Sequence, residues 1–193
     1  PNWSSVRSLL HFDGASASTV MKDEKGKVWT ANAAAKLDTV QSKFGGSSLA
    51  LSGAGDYLST PYVVGHFDPV NDHTIEAWVR PSVSKRHTLY SFLLGSSGSD
   101  GHYCAILSDG RVQAVYGTSN SWNTIATTGA VSLNTWTHVA VTKSGNVVRI
   151  FIAGSLQVTH TLTGTPAPNS GVPVIGKDNS AEDRYFQGWI DDF

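Results

Sequence analysis

His73-Thr74-Ile75-Glu76-Ala77-Trp78-Val79-Arg80-Pro81 places Ile75, Ala77 and Val79 on one side of an extended chain and Thr74, Glu76, Trp78 and Arg80 on the other. A period of two with unlike faces is the pattern of a sheet strand. Pro81 cannot donate to a ladder, so it closes the strand. Two later stretches read as its partners. One is Trp136-Thr137-His138-Val139-Ala140-Val141-Thr142, followed after a turn by Val147-Val148-Arg149-Ile150-Phe151-Ile152. The other is Phe186-Gln187-Gly188-Trp189-Ile190-Asp191-Asp192-Phe193. Ile75, Val139, Ile150 and Ile190 are the expected core positions. Trp29, Trp78, Trp136 and Trp189 also fall in strand-like runs and read as core.

The rest of the chain repeats this texture. Ser8-Leu9-Leu10-His11-Phe12-Asp13-Gly14 reads as a short strand ending in a turn. Residues 22–27 form a charged turn before Val28-Trp29-Thr30-Ala31, and Ala33 to Leu37 has the length of one helical turn. Asp109-Gly110 between two alternating runs is a hairpin signal. Residues 96–100 and 178–184 read as polar and charged loops, and residues 118–124 as a polar loop carrying Trp122. Roughly a dozen short strands, with turn signals about every ten residues, predict one antiparallel β-sandwich or barrel over residues 1–193.

Composition narrows the function. Charged residues make up 15% of the 193 and the net charge is −1. No basic field exists to hold a polyanion, so nucleic acid is not expected as a partner. No run approaches the ~18 apolar residues of a membrane span, so no membrane insertion is expected. The lone cysteine, Cys104, can form no internal disulfide and reads as a small buried hydrophobe, although His102 shares its strand face.

Six phrases occur in order: Leu10-His11-Phe12-Asp13-Gly14, Lys43-Phe44-Gly45-Gly46-Ser47, Gly55-Asp56-Tyr57-Leu58, the residues 74–81, Trp136-Thr137-His138-Val139-Ala140-Val141 and Gly188-Trp189-Ile190-Asp191-Asp192. Together they resemble the concanavalin A-like lectin/glucanase superfamily, and within it the laminin G-like (LamG-type) domains. The resemblance implies an antiparallel jelly-roll β-sandwich. It departs from the family at Ala153-Gly154, where Asn-Gly is common, and at Phe193, where the last strand usually continues. The chain therefore reads as a piece of a longer protein. Its Ser/Thr density and opening phrase also resemble LamG-like modules of phage virion and tail-fibre proteins.

Hydrolytic members of the superfamily use acids at alternate positions of one strand, because glycoside hydrolysis needs an acid and a nucleophile or base together. The only glutamates are Glu24, Glu76 and Glu182, none two residues from another acid. No Gly-x-Ser-x-Gly or His-Glu-x-x-His occurs either. No catalytic residue is assigned.

The resemblance also implies a structural calcium ion tying the start of the domain to its last strand. By position, the ligands would be Asp13, the Gly46 carbonyl, Ser48 and Asp191. Asp192 points the other way along the strand. Asp56 reads as a turn residue accepting backbone N–H groups. Sugar sites on such scaffolds combine an exposed aromatic with loop polar groups, which selects Tyr116, Trp122 and Asn123 on one loop and Tyr185 on another. The expected function is a noncatalytic carbohydrate-binding or adhesion module of a larger secreted or virion protein. Its partners would be a cell-surface or matrix glycan and other domains of the same chain, outside the cell or on a virion surface. The alternative is a structural spacer or assembly domain of a fibre.

Overall fold

The computed structural model describes residues 3–64, 66–93, 101–119, 121–168, 170–178 and 184–193. The loop at residues 96–100, most of the charged loop before the last strand, and Glu182 and Asp183 lie outside them.

Apart from a three-residue 3-10 turn at Trp3–Ser5, the described regular structure is all strand. In chain order the strands are β1 (Val20–Lys22), β2 (Val28–Asn32), β3 (Lys36–Asp38), β4 (Ser48–Ser52), β5 (Tyr57–Ser59), β6 (His73–Pro81), β7 (His87–Leu93), β8 (Gly101–Ile106), β9 (Arg111–Thr118), β10 (Ser121–Ala130), β11 (Thr137–Ser144), β12 (Val147–Ile152), β13 (Ser155–Thr161), β14 (Val174–Ile175) and β15 (Gln187–Asp191). They form two sheets. Sheet A runs β1-β2-β5-β14-β7-β8-β9-β10, and sheet B runs β13-β12-β11-β6-β15-β4-β3. Strand β6 lies between β11 and β15, as its alternation required, and both pairings are antiparallel. No described helix is long and apolar enough to cross a membrane.

The core lies between the sheets. Sheet B contributes Ala77, Val79, Val139, Val141, Ile150 and Ile190, and sheet A contributes Trp29, Leu58, Tyr90, Phe92, Cys104, Ile106 and Val112. Each fully buried large apolar side chain stabilises by about 1.5–3 kcal/mol. Ile75, near the start of β6, packs against this core only partly buried. Trp29 is wholly inside, whereas Trp78, Trp136 and Trp189 are half-buried. Trp78 and Trp189 stand on the outer face of sheet B, because they alternate with the inward Ala77, Val79 and Ile190. Alternation alone does not say which of two apolar faces turns inward.

Two other expectations are corrected. Residues 8–14 form no strand, because Phe12 adopts a positive φ of 57° that breaks the extended run. Leu10 still exchanges both backbone hydrogen bonds with Phe193, so the start of the domain is seated against its end. Ala33 to Leu37 is not helical. Ala33 has φ 54°, the buried Asp56 carboxylate accepts the Ala34 N–H at 2.9 Å and the Ser52 N–H at 2.6 Å, and Lys36 begins β3. Asp56 is thus the turn residue its position suggested.

Candidate functional site

On β8, β9 and β10 the inward series is His102, Cys104 and Ile106, then Val112, Ala114 and Tyr116, then Asn123, Ile125 and Thr127. Period two sends Tyr103, Gln113, Val115, Gly117, Trp122 and Thr124 to the opposite, outer face of sheet A. The register sets Tyr103 beside Val115, Val115 beside Thr124, and Gly117 beside Trp122. Trp122 is 44% exposed, and Gly117 offers no side chain against its indole. Arg86, just ahead of β7, reaches across this face. Its Nη2 donates to the Gln113 Oε1 at 2.7 Å and to the Tyr103 hydroxyl at 3.2 Å. Its Nε is buried with no hydrogen-bond partner, and so is the Ser91 hydroxyl beside Tyr103. Trp122 and Gln113 lie about 13 Å apart along β9, at ~3.3 Å per residue.

This face corrects the sequence-based set. Trp122 is on strand β10, not on a loop. Tyr116 is wholly buried, its ring stacked 5.1 Å from that of His102 and its hydroxyl 2.9 Å from the His73 Nε2. Asn123 is buried and paired on both sides of its amide, donating to Thr118 and the Thr163 carbonyl and accepting the Thr163 N–H. Neither is open to a ligand, because both alternate inward. Tyr185 is half-buried beside Lys177, whose ammonium also lies 4.5 Å from the Tyr57 ring centroid. That places it towards β5 and β14, with β7, β8 and β9 between it and β10. Arg86, Tyr103 and Gln113 were missed. Their signal was the phase of β8 and β9: once Cys104 and Ile106 turn inward, Tyr103 must turn outward.

Asp13 and Asp191 both meet the loop at residues 43–46, although no three His, Cys, Asp or Glu side chains cluster as a metal site among the described residues. The Asp13 carboxylate lies so close to Gly45 that a Cβ there would overlap it, and Gly45 and Gly46 both have positive φ. Asp191 Oδ2 accepts the N–H groups of Lys43 and Phe44 at 2.7 and 3.1 Å, and Oδ1 accepts that of Asp192. Asp191 is fully buried, but not in the sandwich core. It opposes Trp78 on the outer face of sheet B, and residues 43–44 fold over it. Burial raises its pKa, against the pull of the N–H groups from Phe44 and Lys43. Asp192 has φ 46° and points away to His11 at 2.7 Å. Ser48 donates its hydroxyl to the Gln41 carbonyl, fixing the same loop. Among the described residues Asp13 has no hydrogen-bond partner. The donors that the resemblance names, two carboxylates and the Gly46 carbonyl, are all oxygens, the type that a hard cation such as calcium takes.

Other groups carry less chemistry. Glu76 meets His138 at 3.5 Å on an open surface, with no second carboxylate beside it among the described residues. Cys104 and His102 share a face as expected, but inside the core, where burial pushes the thiol up to about 12. The aromatic rings on the outer face of sheet B are capped by cations, Lys43 at 4.1 Å from Trp78 and Arg80 at 5.2 Å from Trp189. A pocket of about 150 Å³ opens near Ser84, His87, Asp109 and Leu133. Its polar side chains are already bonded within the protein.

The family model described as the concanavalin A-like lectin/glucanases superfamily, a laminin G model, matches residues 52–193. No curated protein sequence matches the chain. Among solved structures, domain 4 of AbnA, a GH43 extracellular arabinanase from Geobacillus stearothermophilus in complex with arabinotriose, is similar with a TM-score of 0.69 at 19% identity, covering 96% of this chain and 90% of that one. The botulinum neurotoxin serotype D binding domain is similar with a TM-score of 0.64 at 14% identity over 96% of this chain, which spans about half of that domain (46%). The Ruminococcus gnavus IT-sialidase CBM40 bound to alpha2,3 sialyllactose is similar with a TM-score of 0.54 at 16% identity, covering 70% and 86%. These likenesses carry the fold.

Proposed function

The chain belongs to the concanavalin A-like lectin/glucanases superfamily, and on that footing we propose that it is a noncatalytic carbohydrate-binding module acting outside the cell. The observation that carries the reading is the outer face of sheet A. Trp122 offers an uncovered indole, against which the apolar face of a sugar ring can bury. About 13 Å away along the strands, Tyr103, Gln113 and Arg86 offer hydrogen-bonding groups for hydroxyls. An apolar platform with a few fixed polar groups on rigid strands suits a short oligosaccharide. The similar structures with arabinotriose and sialyllactose support the same reading.

A structural calcium ion belongs to this proposal. Asp13, the Gly46 carbonyl and Asp191 would hold it, with Ser48 fixing the loop through Gln41. When bound it would supply positive charge to a buried carboxylate and bridge the first and last segments of the domain. Asp191 then stays ionised despite its burial, and the loop over residues 43–46 is held against β15.

The test is a broad oligosaccharide array followed by calorimetric titration of the hits. The expected result is binding to a restricted set, weakened at least tenfold by Trp122→Ala while the melting temperature stays put. No hit across the array, or full affinity in the variant, would overturn the assignment of this face.

A further inference from the structure

Arg86 is a permanent cation with no acid paired to it among the described residues. The described ion pairs join His11 to Asp192, Arg111 to Asp109, His138 to Glu76 and Arg184 to Asp178, and Arg86 takes part in none of them. Its partners are neutral, and they are held in a particular sense. A guanidinium has only donors. Bonding to it therefore engages one lone pair of the Gln113 and Tyr103 oxygens, and fixes the Gln113 amide with its oxygen towards Arg86. What the two side chains have left to offer is the Gln113 N–H₂ and the Tyr103 O–H, neither of which has a protein acceptor among the described residues. Arg86 itself retains Nη1, without a protein partner among the described residues, whereas its Nε is buried and closed to a ligand.

The cluster thus presents donors around a positive charge, with its acceptors turned inward. A neutral sugar hydroxyl can accept from these donors but leaves the positive charge unanswered. A group that only accepts, and carries negative charge, matches it in both respects. Charge-assisted bonds are also roughly twice as strong as neutral ones. Half-burial strengthens the preference, because a cation partly withdrawn from water lacks full hydration and no carboxylate among the described residues replaces it.

We infer that Arg86, Tyr103 and Gln113 form a subsite for the anionic group of an acidic saccharide, a carboxylate or a sulfate ester, with Trp122 receiving a neighbouring sugar. The inference rests on the reading of this face as a sugar site and adds the class of sugar. Arg86 provides the charge, while Tyr103 and Gln113 orient the guanidinium and contribute one donor each.

The test uses matched pairs of oligosaccharides with the intact protein in calorimetric titration. One pair is a uronate-containing oligosaccharide and its carboxyl-reduced, neutral form. The other is a sulfated oligosaccharide and its desulfated form. At least one pair is expected to show tenfold or greater preference for the charged member, and the preferring pair identifies the anion. That preference should shrink as salt is raised and vanish in Arg86→Gln, whose charged and neutral members should bind alike. The comparison of charged and neutral members on the unaltered protein needs no variant and stands even if Arg86→Gln folds poorly. Equal affinity within both pairs, or a preference that survives in folded Arg86→Gln, overturns the inference and leaves the sugar-binding face intact. No binding to any member, or binding that Trp122→Ala leaves unchanged, would remove the face itself.

Discussion

Asp191 accepts the backbone N–H of Lys43 at 2.7 Å, which fastens the last strand to a loop 148 residues earlier in the chain. The same carboxylate takes the N–H of Phe44, and Leu10 pairs with Phe193 close by. The domain is thus closed at one corner by its two ends and by one buried acid.

Calcium should act at that corner. With the ion ~100-fold above its dissociation constant, binding adds about 2.7 kcal/mol to stability. For a domain of this size that is a rise in melting temperature of about 5–10 °C over the chelated protein. The two carboxylates differ as probes. Asp191→Asn leaves at least one buried backbone N–H without an acceptor, so it should lose about 1–3 kcal/mol even in chelator. Asp13 accepts no such bond, so Asp13→Asn should leave the chelated protein unchanged and abolish the rise. Calorimetric melts that coincide with and without calcium would refute the site.

Ala153 and Gly154 form the two-residue turn between β12 and β13, both with positive φ, 49° and 77°. That is the turn whose twist matches its strands, and it favours Asn-Gly. A left-handed conformation costs a non-glycine residue about 1–2 kcal/mol, less for Asn. Ala153→Asn should therefore stabilise by about 1 kcal/mol. A urea midpoint that rises with unchanged slope would show it; an unmoved midpoint would mean the strain is absent.

The fold was legible because its evidence is local and repeated. The alternation at 73–81 and the Asp109-Gly110 turn each specify a strand or hairpin wherever they occur, and the ordered phrases fixed their assembly. The site was less legible because it depends on phase. Tyr116 and Trp122 look alike in sequence, both aromatics near a polar stretch, and only the register decides that one is core and the other surface. Arg86 carried no signal of its own, since its partners lie 17 and 27 residues away on two other strands. Asp13 and Asp191 could be proposed as partners only through family resemblance, as nothing local in the chain links residue 13 to residue 191.

Cys104 offers a direct check on the core. Its thiol is fully buried and held well away from the reactive thiolate by that burial. A disulfide-exchange thiol reagent at pH 8 should leave it unlabelled in the native protein and modify it stoichiometrically in denaturant. Rapid native labelling would show that β8 opens, or that its phase is the reverse.

Acid should weaken the domain through its buried histidines. The rings of His73 and His102 stack 4.9 Å apart, and Tyr116 stacks on both. The carbonyls of Asn71 and Phe67 accept from His73 Nδ1 and His102 Nε2, which sets both rings as neutral tautomers. Burial lowers the pKa of His73 to about 4 and that of His102 well below its ordinary value; Lys143 adds to both effects. In the unfolded chain both histidines take up protons near 6.5. Between about pH 6.5 and 4 the unfolded state therefore binds more protons, and stability falls as pH falls, by about 1.4 kcal/mol per unit for each fully titrating ring. Three aspartates with depressed pKa values, Asp38, Asp56 and Asp72, act in the same sense only below the carboxylate range, whereas Asp191, raised by burial, opposes it slightly. His11, raised chiefly by its bond to Asp192, loses its contribution as pH rises above 6.5, outside this window. His102→Phe keeps a ring in the stack and forgoes only one 3.2 Å bond, since Nδ1 has no partner. Urea unfolding at a series of pH values from 7 to 4.5 should give the variant a shallower decline, by up to about 1.4 kcal/mol per unit. A variant profile parallel to that of the unaltered protein would mean that His102 titrates normally, and that the buried stack is not what limits acid stability.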